Sequence, residues 1–260
     1  MTQEAPATIY EKKGHIAYLT INRPERMNAM GRAVTDGLSQ AVMDYREDND
    51  LRVLILTGAG ERAFCAGGDL KDMAEAANAG ERLNRPVPTI PIFELIMETY
   101  KPIIAAVNGV AVGGGCEMSL VCDFRIGTPN TRMGLAEALR GLGAMYGSVL
   151  LPRTIPRGIA LQQLYTGQLL DAATCERWGL INKIVPQNEL ISYCTEIAEQ
   201  ICECAPLSVR RMKEVAFKSQ VMHPLEAFHL NVGPDVYSSE DRIEGAKAFT
   251  EKRKPLWKGR

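Results

Sequence analysis

The chain has 260 residues, enough for one large domain or a domain with an appendage, and long enough to bury a sizeable core. Its 46% hydrophobic and 23% charged residues are ordinary for a globular protein. With 30 Lys and Arg against 31 Asp and Glu the net charge is −1, which gives no sign of a nucleic-acid partner.

Residues 1–7 are polar and acidic, unlike a signal or transit peptide. Ile16-Ala-Tyr-Leu-Thr-Ile21 reads as a strand, and Asn22-Arg23-Pro24 ends it. Thr35 to Tyr45 carries apolar residues at helical spacing (Leu38, Ala41, Val42, Tyr45). Arg52 to Thr57 is a near-continuous apolar strand of the kind buried on both faces. After Gly58-Ala59-Gly60 comes a turn-rich stretch, Phe64-Cys-Ala-Gly-Gly-Asp69. A helix is expected over Leu70–Ala77 and a surface loop over Asn78–Pro91, with helix again from Ile92 to Tyr100. Ile103 to Val107 is a second buried strand. The apolar run from Ile103 to Val112 is broken by Asn108 and Gly109 and is too short to span a bilayer, so no membrane partner is expected. Gly113-Gly114-Gly115 opens a helix to about Val121. From Pro206 the chain is helical and mostly polar, with a charged amphipathic helix over Asp241–Lys254. Strands alternating with helices define an α/β fold, with a core over residues 1–205 and a helical region over 206–260. Seven cysteines, odd in number and scattered, make no disulfide scaffold and point to a reducing, cytoplasmic setting. The three histidines (His15, His223, His229) form no metal-ligand cluster with them, and no metal is expected.

Two glycine-rich turns carry the chemistry. In Asn108-Gly-Val-Ala-Val-Gly-Gly-Gly-Cys-Glu117 a glycine triplet precedes a helix, leaving N–H groups free at the positive end of the helix dipole. Such a place binds an anion or a developing oxyanion, although glycines there also permit close helix–strand packing. Phe64 to Asp69 presents a second set of N–H groups. Gly58-Ala-Gly-Glu-Arg-Ala63 fits a loose dinucleotide-binding pattern, but Phe64-Cys-Ala-Gly-Gly follows where a helix would have to start. Cys65 and Cys116 sit inside the glycine motifs with no histidine partner, as packing residues.

Taken together these stretches resemble the crotonase (enoyl-CoA hydratase/isomerase) superfamily. The similar segments are Leu19-Thr-Ile-Asn-Arg-Pro24, Asn28-Ala29-Met30, Ala63-Phe-Cys-Ala-Gly-Gly-Asp-Leu70, Lys101 to Glu117, Thr166-Gly167 and Trp178-Gly179-Leu180, over essentially the whole chain. The resemblance implies a spiral of repeated ββα units and a C-terminal helical region used in trimer assembly, the chain forming a homotrimer or homohexamer. It implies an acyl-CoA substrate and no separate cofactor. By position, the oxyanion-hole donors are Gly68 and Gly114, and the acid–base pair is Glu117 and Glu137. Ala66, Gly68, Asp69, Leu70 and Gly114 match segments that meet the CoA thioester. Arg26, Lys252 and Lys254 are candidate cations for its phosphates, or ordinary solvated charges. The tail, Ser239 to Lys258, is similar to that of carnitinyl-CoA dehydratase-like members, which carry a bulky residue where this chain has Gly68. The stretch Gly141-Leu-Gly-Ala-Met-Tyr-Gly-Ser148 departs from the family pattern: Ala144 replaces the usual Pro, Ser148 replaces a Gly, and Met145 and Tyr146 add bulk beside the expected acyl pocket.

The implied activity is hydration of an enoyl-CoA, or the reverse dehydration. Rival readings are an isomerase using Glu137 alone, another reaction on the same scaffold (thioester hydrolysis, decarboxylation, C–C cleavage), and a non-catalytic acyl-CoA or RNA binding protein. Glu117 speaks against the isomerase, and near-neutral charge against the RNA binder.

Overall fold

The apolar run at 53–56 is continuous because its strand is covered on both sides. A computed structural model of the chain describes residues 5–69 and 92–260. The expected helix at 70–77, the loop at 78–91 and the candidate Leu70 lie outside the described residues.

The strands are β1 (Thr8–Lys13), β2 (Ile16–Ile21), β3 (Val53–Gly58), β4 (Ala63–Cys65), β5 (Ile103–Val107), β6 (Val110–Val112), β7 (Phe124–Gly127), β8 (Arg132–Gly134), β9 (Leu170–Asp171) and β10 (Lys183–Ile184). They form two sheets, one ordered β1-β2-β3-β5-β7-β10 and the other β4-β6-β8-β9. Among the described residues only β1–β2 and β8–β9 are antiparallel. Successive turns of chain (β3 with β4, β5 with β6, β7 with β8) each give one strand to each sheet, so the chain winds as a spiral.

Alternation along each central strand divides the core. Leu54, Leu56, Ile103, Ala105 and Val107 face the main cluster, with Leu38, Val42 and Tyr45 of helix Arg32–Glu47. Val53, Ile55, Ile104, Ala106 and Ile126 face the other side, against Leu190, Cys194 and Ala198 of helix Leu190–Cys202. With successive residues pointing to opposite faces, a strand buried on both must be apolar throughout. Strand β1, strand β4 and strands β6 to β10 were not expected from sequence, and the helix expected to Tyr100 ends at Met97. The last long helix runs Glu240–Thr250, capped at its start by Ser239, whose Oγ accepts from the Arg242 N–H at 3.1 Å.

Candidate active site

Three backbone segments meet because of strand register. In the smaller sheet Ala63 pairs with Val110 and Val112 pairs with Gly134, so the chain leaves all three strands at one edge. There the segments 66–69, 113–117 and 135–142 converge. Gly113 N–H donates to Gly134 O at 2.9 Å, tying the second segment to the third.

The first two segments touch through glycine. A Cβ on Gly67 (φ +84°) would lie 2.8 Å from Val112 O and 3.1 Å from Gly114 N, and one on Gly115 would overlap Cys65 O. These approaches exclude a side chain. Gly68 pairs with Met30 in a parallel bridge, in which Gly67 O and Asp69 N make the bonds to Met30. The N–H of Gly68 itself is left over. Gly114 is the first residue of helix Gly114–Val121, so its N–H has no intrahelical acceptor. Among the described residues neither N–H has a hydrogen-bond partner. Gly68 N lies 3.9 Å from where a Cβ on Gly114 would stand, which puts the two donors side by side.

Both donors border a cleft of about 400 Å³, also lined by Ala66, Glu137, Arg140 and Leu142. Glu137 opens a short 3-10 turn, Glu137–Arg140, and its Oε1 comes within 3.2 Å of a hypothetical Cβ on Gly113. Its Oε2 is buried and has no hydrogen-bond partner among the described residues. Desolvation pushes the Glu137 carboxyl above its ordinary pKa, opposed by its own N–H and by the charge of Arg140.

Glu117, in the first turn of helix Gly114–Val121, is 6% exposed and is not among the cleft-lining residues. Its Oε1 accepts from Gly147 N–H at 2.9 Å. Burial raises its pKa most; the N–H groups of Gly147 and Tyr146 lower it, and the charge of Glu137 raises it again. Register thus brings within electrostatic reach two carboxyls that stand 20 positions apart, and each is biased towards holding a proton.

The remaining candidates are placed as follows. Ala66 lines the cleft. Asp69 is buried, with Arg23 and Arg26 guanidinium groups at 3.4 and 3.5 Å from its Oδ2. Lys252, in the left-handed region at φ +54°, does not line the cleft of its own chain, and Lys254 pairs with Glu203. Tyr146 is not among the cleft-lining residues either. Its hydroxyl donates to Glu94 Oε1 at 3.0 Å and its ring meets Phe93 edge-on, centroids 4.9 Å apart. What the Tyr146 stretch supplies towards Glu117 is backbone.

Sequence reasoning missed the groups that hold the turns. Asn108 Nδ2 donates to Gly58 O, Gly60 O and Ala63 O, and its Oδ1 accepts from Gly58 N–H. Asn28 Nδ2 also reaches Ala63 O, at 2.7 Å. Arg125, buried, donates to Leu180 O, Ser119 O and Cys122 O, two of them at the C-terminal end of the Glu117 helix. A single arginine in the otherwise apolar stretch 124–126 was the available signal. Among the described residues no group of three or more His, Cys, Asp or Glu could hold a metal, and no helix is long and apolar enough to cross a membrane.

Two unpartnered N–H groups near carboxyls of raised pKa make a set that can oppose an oxyanion's charge and exchange protons. The chain belongs to the enoyl-CoA hydratase/isomerase family, whose model matches residues 11–260. It is 40% identical over 260 residues to an (E)-benzylidenesuccinyl-CoA hydratase of Thauera aromatica, covering 98% of this chain and 99% of that one. It is 38% identical to a carnitinyl-CoA dehydratase of Salmonella typhi, covering 96% and 97%. The crystal structure of an enoyl-CoA hydratase from Mycobacterium tuberculosis H37Rv superposes with a TM-score of 0.88 at 35% identity, over 98% of this chain and 100% of that one.

Proposed function

We propose that Glu117 and Glu137 add water across the α,β double bond of an acyl-CoA thioester, or remove it, while Gly68 and Gly114 N–H hold the thioester oxygen. Membership of the family, with hydratase and dehydratase relatives at 38–40% identity over nearly the full chain, makes the protein a hydratase/dehydratase-type lyase on CoA thioesters. The observation that carries the residue roles is the convergence of two free N–H donors and Glu137 on one cleft, with Glu117 close enough to feel the charge of Glu137.

As the water oxygen bonds to the β-carbon, the π electrons move towards the thioester oxygen, and the two donors oppose that charge. Each preorganised donor is worth about 3 kcal/mol. Glu117, supported as an anion by Gly147 N–H, takes the water proton. Glu137, with one oxygen unpaired, delivers a proton to the α-carbon. Each turnover leaves Glu117 protonated and Glu137 ionised, and one proton returned between them restores the start. An isomerase working through Glu137 alone would have no use for Glu117.

Ala66 and Asp69 are proposed to meet the CoA portion by backbone and Arg26 its phosphates; Leu70 and Lys252 are carried over from the family pattern. Residues 206–260 are proposed as the assembly region of a homotrimer or homohexamer, supported by large apolar side chains exposed there, Phe228 and Phe249 among them. Seven unpaired thiols support a cytoplasmic setting.

The reaction class is tested by turnover of crotonyl-CoA in 18O-labelled water. The expected product is 3-hydroxybutyryl-CoA labelled at the β-hydroxyl. Free CoA with label in a carboxylate identifies a hydrolase, and a shifted double bond without label an isomerase; either overturns the reading.

A further inference from the structure

Arg140 is the one positively charged residue lining the cleft among the described residues. It closes the turn Glu137–Arg140, and with three residues per turn in a 3-10 helix it stands on the same side of that turn as Glu137. Among the described residues no carboxylate pairs with it. Its hydrogen bond is a long one, 3.4 Å, to Ala136 O in its own turn. Its charge nevertheless reaches Glu137, where it opposes the rise in pKa. A guanidinium beside the reacting carboxyl, without an ion-pair partner, has its bidentate donor face available for an oxyanion.

The oxyanion could come from the acyl group or from a CoA phosphate. The order of groups along the cleft favours the acyl group. Gly67 and Gly68 touch Gly114, Gly113 lies against Glu137, and Arg140 stands one turn further on. On the Gly68 side, Asp69 already gathers Arg23 and Arg26. A thioester whose oxygen sits at Gly68 and Gly114, with its α-carbon at Glu137, extends its acyl end towards Arg140, past the apolar Leu139 and Leu142.

We propose that Arg140 sets acyl specificity by binding a carboxylate at the far end of the acyl group, so that the substrate is the CoA thioester of a dicarboxylic enoic acid. This rests on the cleft being the enoyl-CoA site.

The test is calorimetric binding of two unreactive thioesters, glutaryl-CoA and butyryl-CoA, to the wild type, Arg140→Gln and Arg140→Lys. A charge-assisted pair predicts that the wild type binds glutaryl-CoA tighter by roughly 10- to 100-fold. In Arg140→Gln that ratio falls to about one, and in Arg140→Lys it is intermediate. A wild-type ratio of one or less overturns the proposal. So does a ratio that keeps its wild-type value in Arg140→Gln while both affinities fall together, which assigns Arg140 to the phosphates. Detectable binding of either thioester shows that the variant is folded. Hydration of crotonyl-CoA is read separately: its absence removes the hydratase reading while the binding ratio still judges Arg140.

Discussion

Glu117 has a stability cost that follows from its chemistry. Its carboxyl is buried, and burial raises its pKa more than the N–H groups of Gly147 and Tyr146 lower it. Below the unfolded value of about 4.3 both states hold the proton and Glu117 costs nothing. Above it the unfolded chain gives up the proton while the folded chain keeps it, so stability falls as pH rises through the folded value. Glu137, also raised by desolvation, acts in the same direction. Glu117→Gln keeps an oxygen for Gly147 N–H and cannot ionise. The variant is expected to melt higher than wild type at pH 7, by about 2–4 °C for each 1 kcal/mol at this chain size, with the gap closing towards pH 4. A melting temperature lowered at both pH values would show that the carboxylate is a net stabiliser. A gain in stability with loss of activity is the usual mark of a site residue held at a cost.

At the scale of elements, the cleft depends on glycines that let turns approach. A Cβ on Gly115 would overlap the backbone oxygen of Cys65, at the end of β4, whereas one on Gly141 would meet nothing within 4 Å. Gly115→Ala is therefore expected to destabilise by roughly 2–4 kcal/mol, as overpacking against backbone does. Gly141→Ala costs only its left-handed φ of +67°, about 1 kcal/mol. Urea denaturation of the two variants checks the order; equal midpoints would contradict it. Parts of this arrangement were legible in sequence. The strands at 16–21, 53–58 and 103–107 are long apolar runs, and the triplet Gly113-Gly114-Gly115 announces a free helix start. The three-residue strands β4 and β6 are too short to carry a period, and their pairing depends on a neighbour supplied by a later turn of the spiral. The nearness of Glu137's charge to Glu117 was legible only through family resemblance. It follows from the register that sets Val112 beside Gly134, which no local pattern encodes. Asn108 read as a turn residue and Asn28 only as part of a family-like segment, yet both bond Ala63 O and fix the turn before Gly68.

For the whole molecule, the C-terminal helices leave large apolar side chains uncovered: Phe249 is 86% exposed, Phe228 79% and Val221 83%. Covering them by copies of the same chain removes apolar area from water at about 25 cal/mol per Å². Light scattering after gel filtration is expected to give three or six times the 28.6 kDa chain mass. Phe249→Asp is expected to shift the population towards smaller species, and a monomeric wild type would refute the assembly. The central claim concerns the two carboxylates and the donors beside them. Its most direct test is the initial rate of loss of the conjugated enoyl-thioester absorbance, for wild type, Glu117→Gln, Glu137→Gln and the double variant. With both carboxylates acting in one proton-transfer unit, each single variant is expected to lose roughly 10²–10⁴ in kcat, and the double variant little more than either. A single variant that turns over at the wild-type rate would remove that residue from the mechanism and contradict the account.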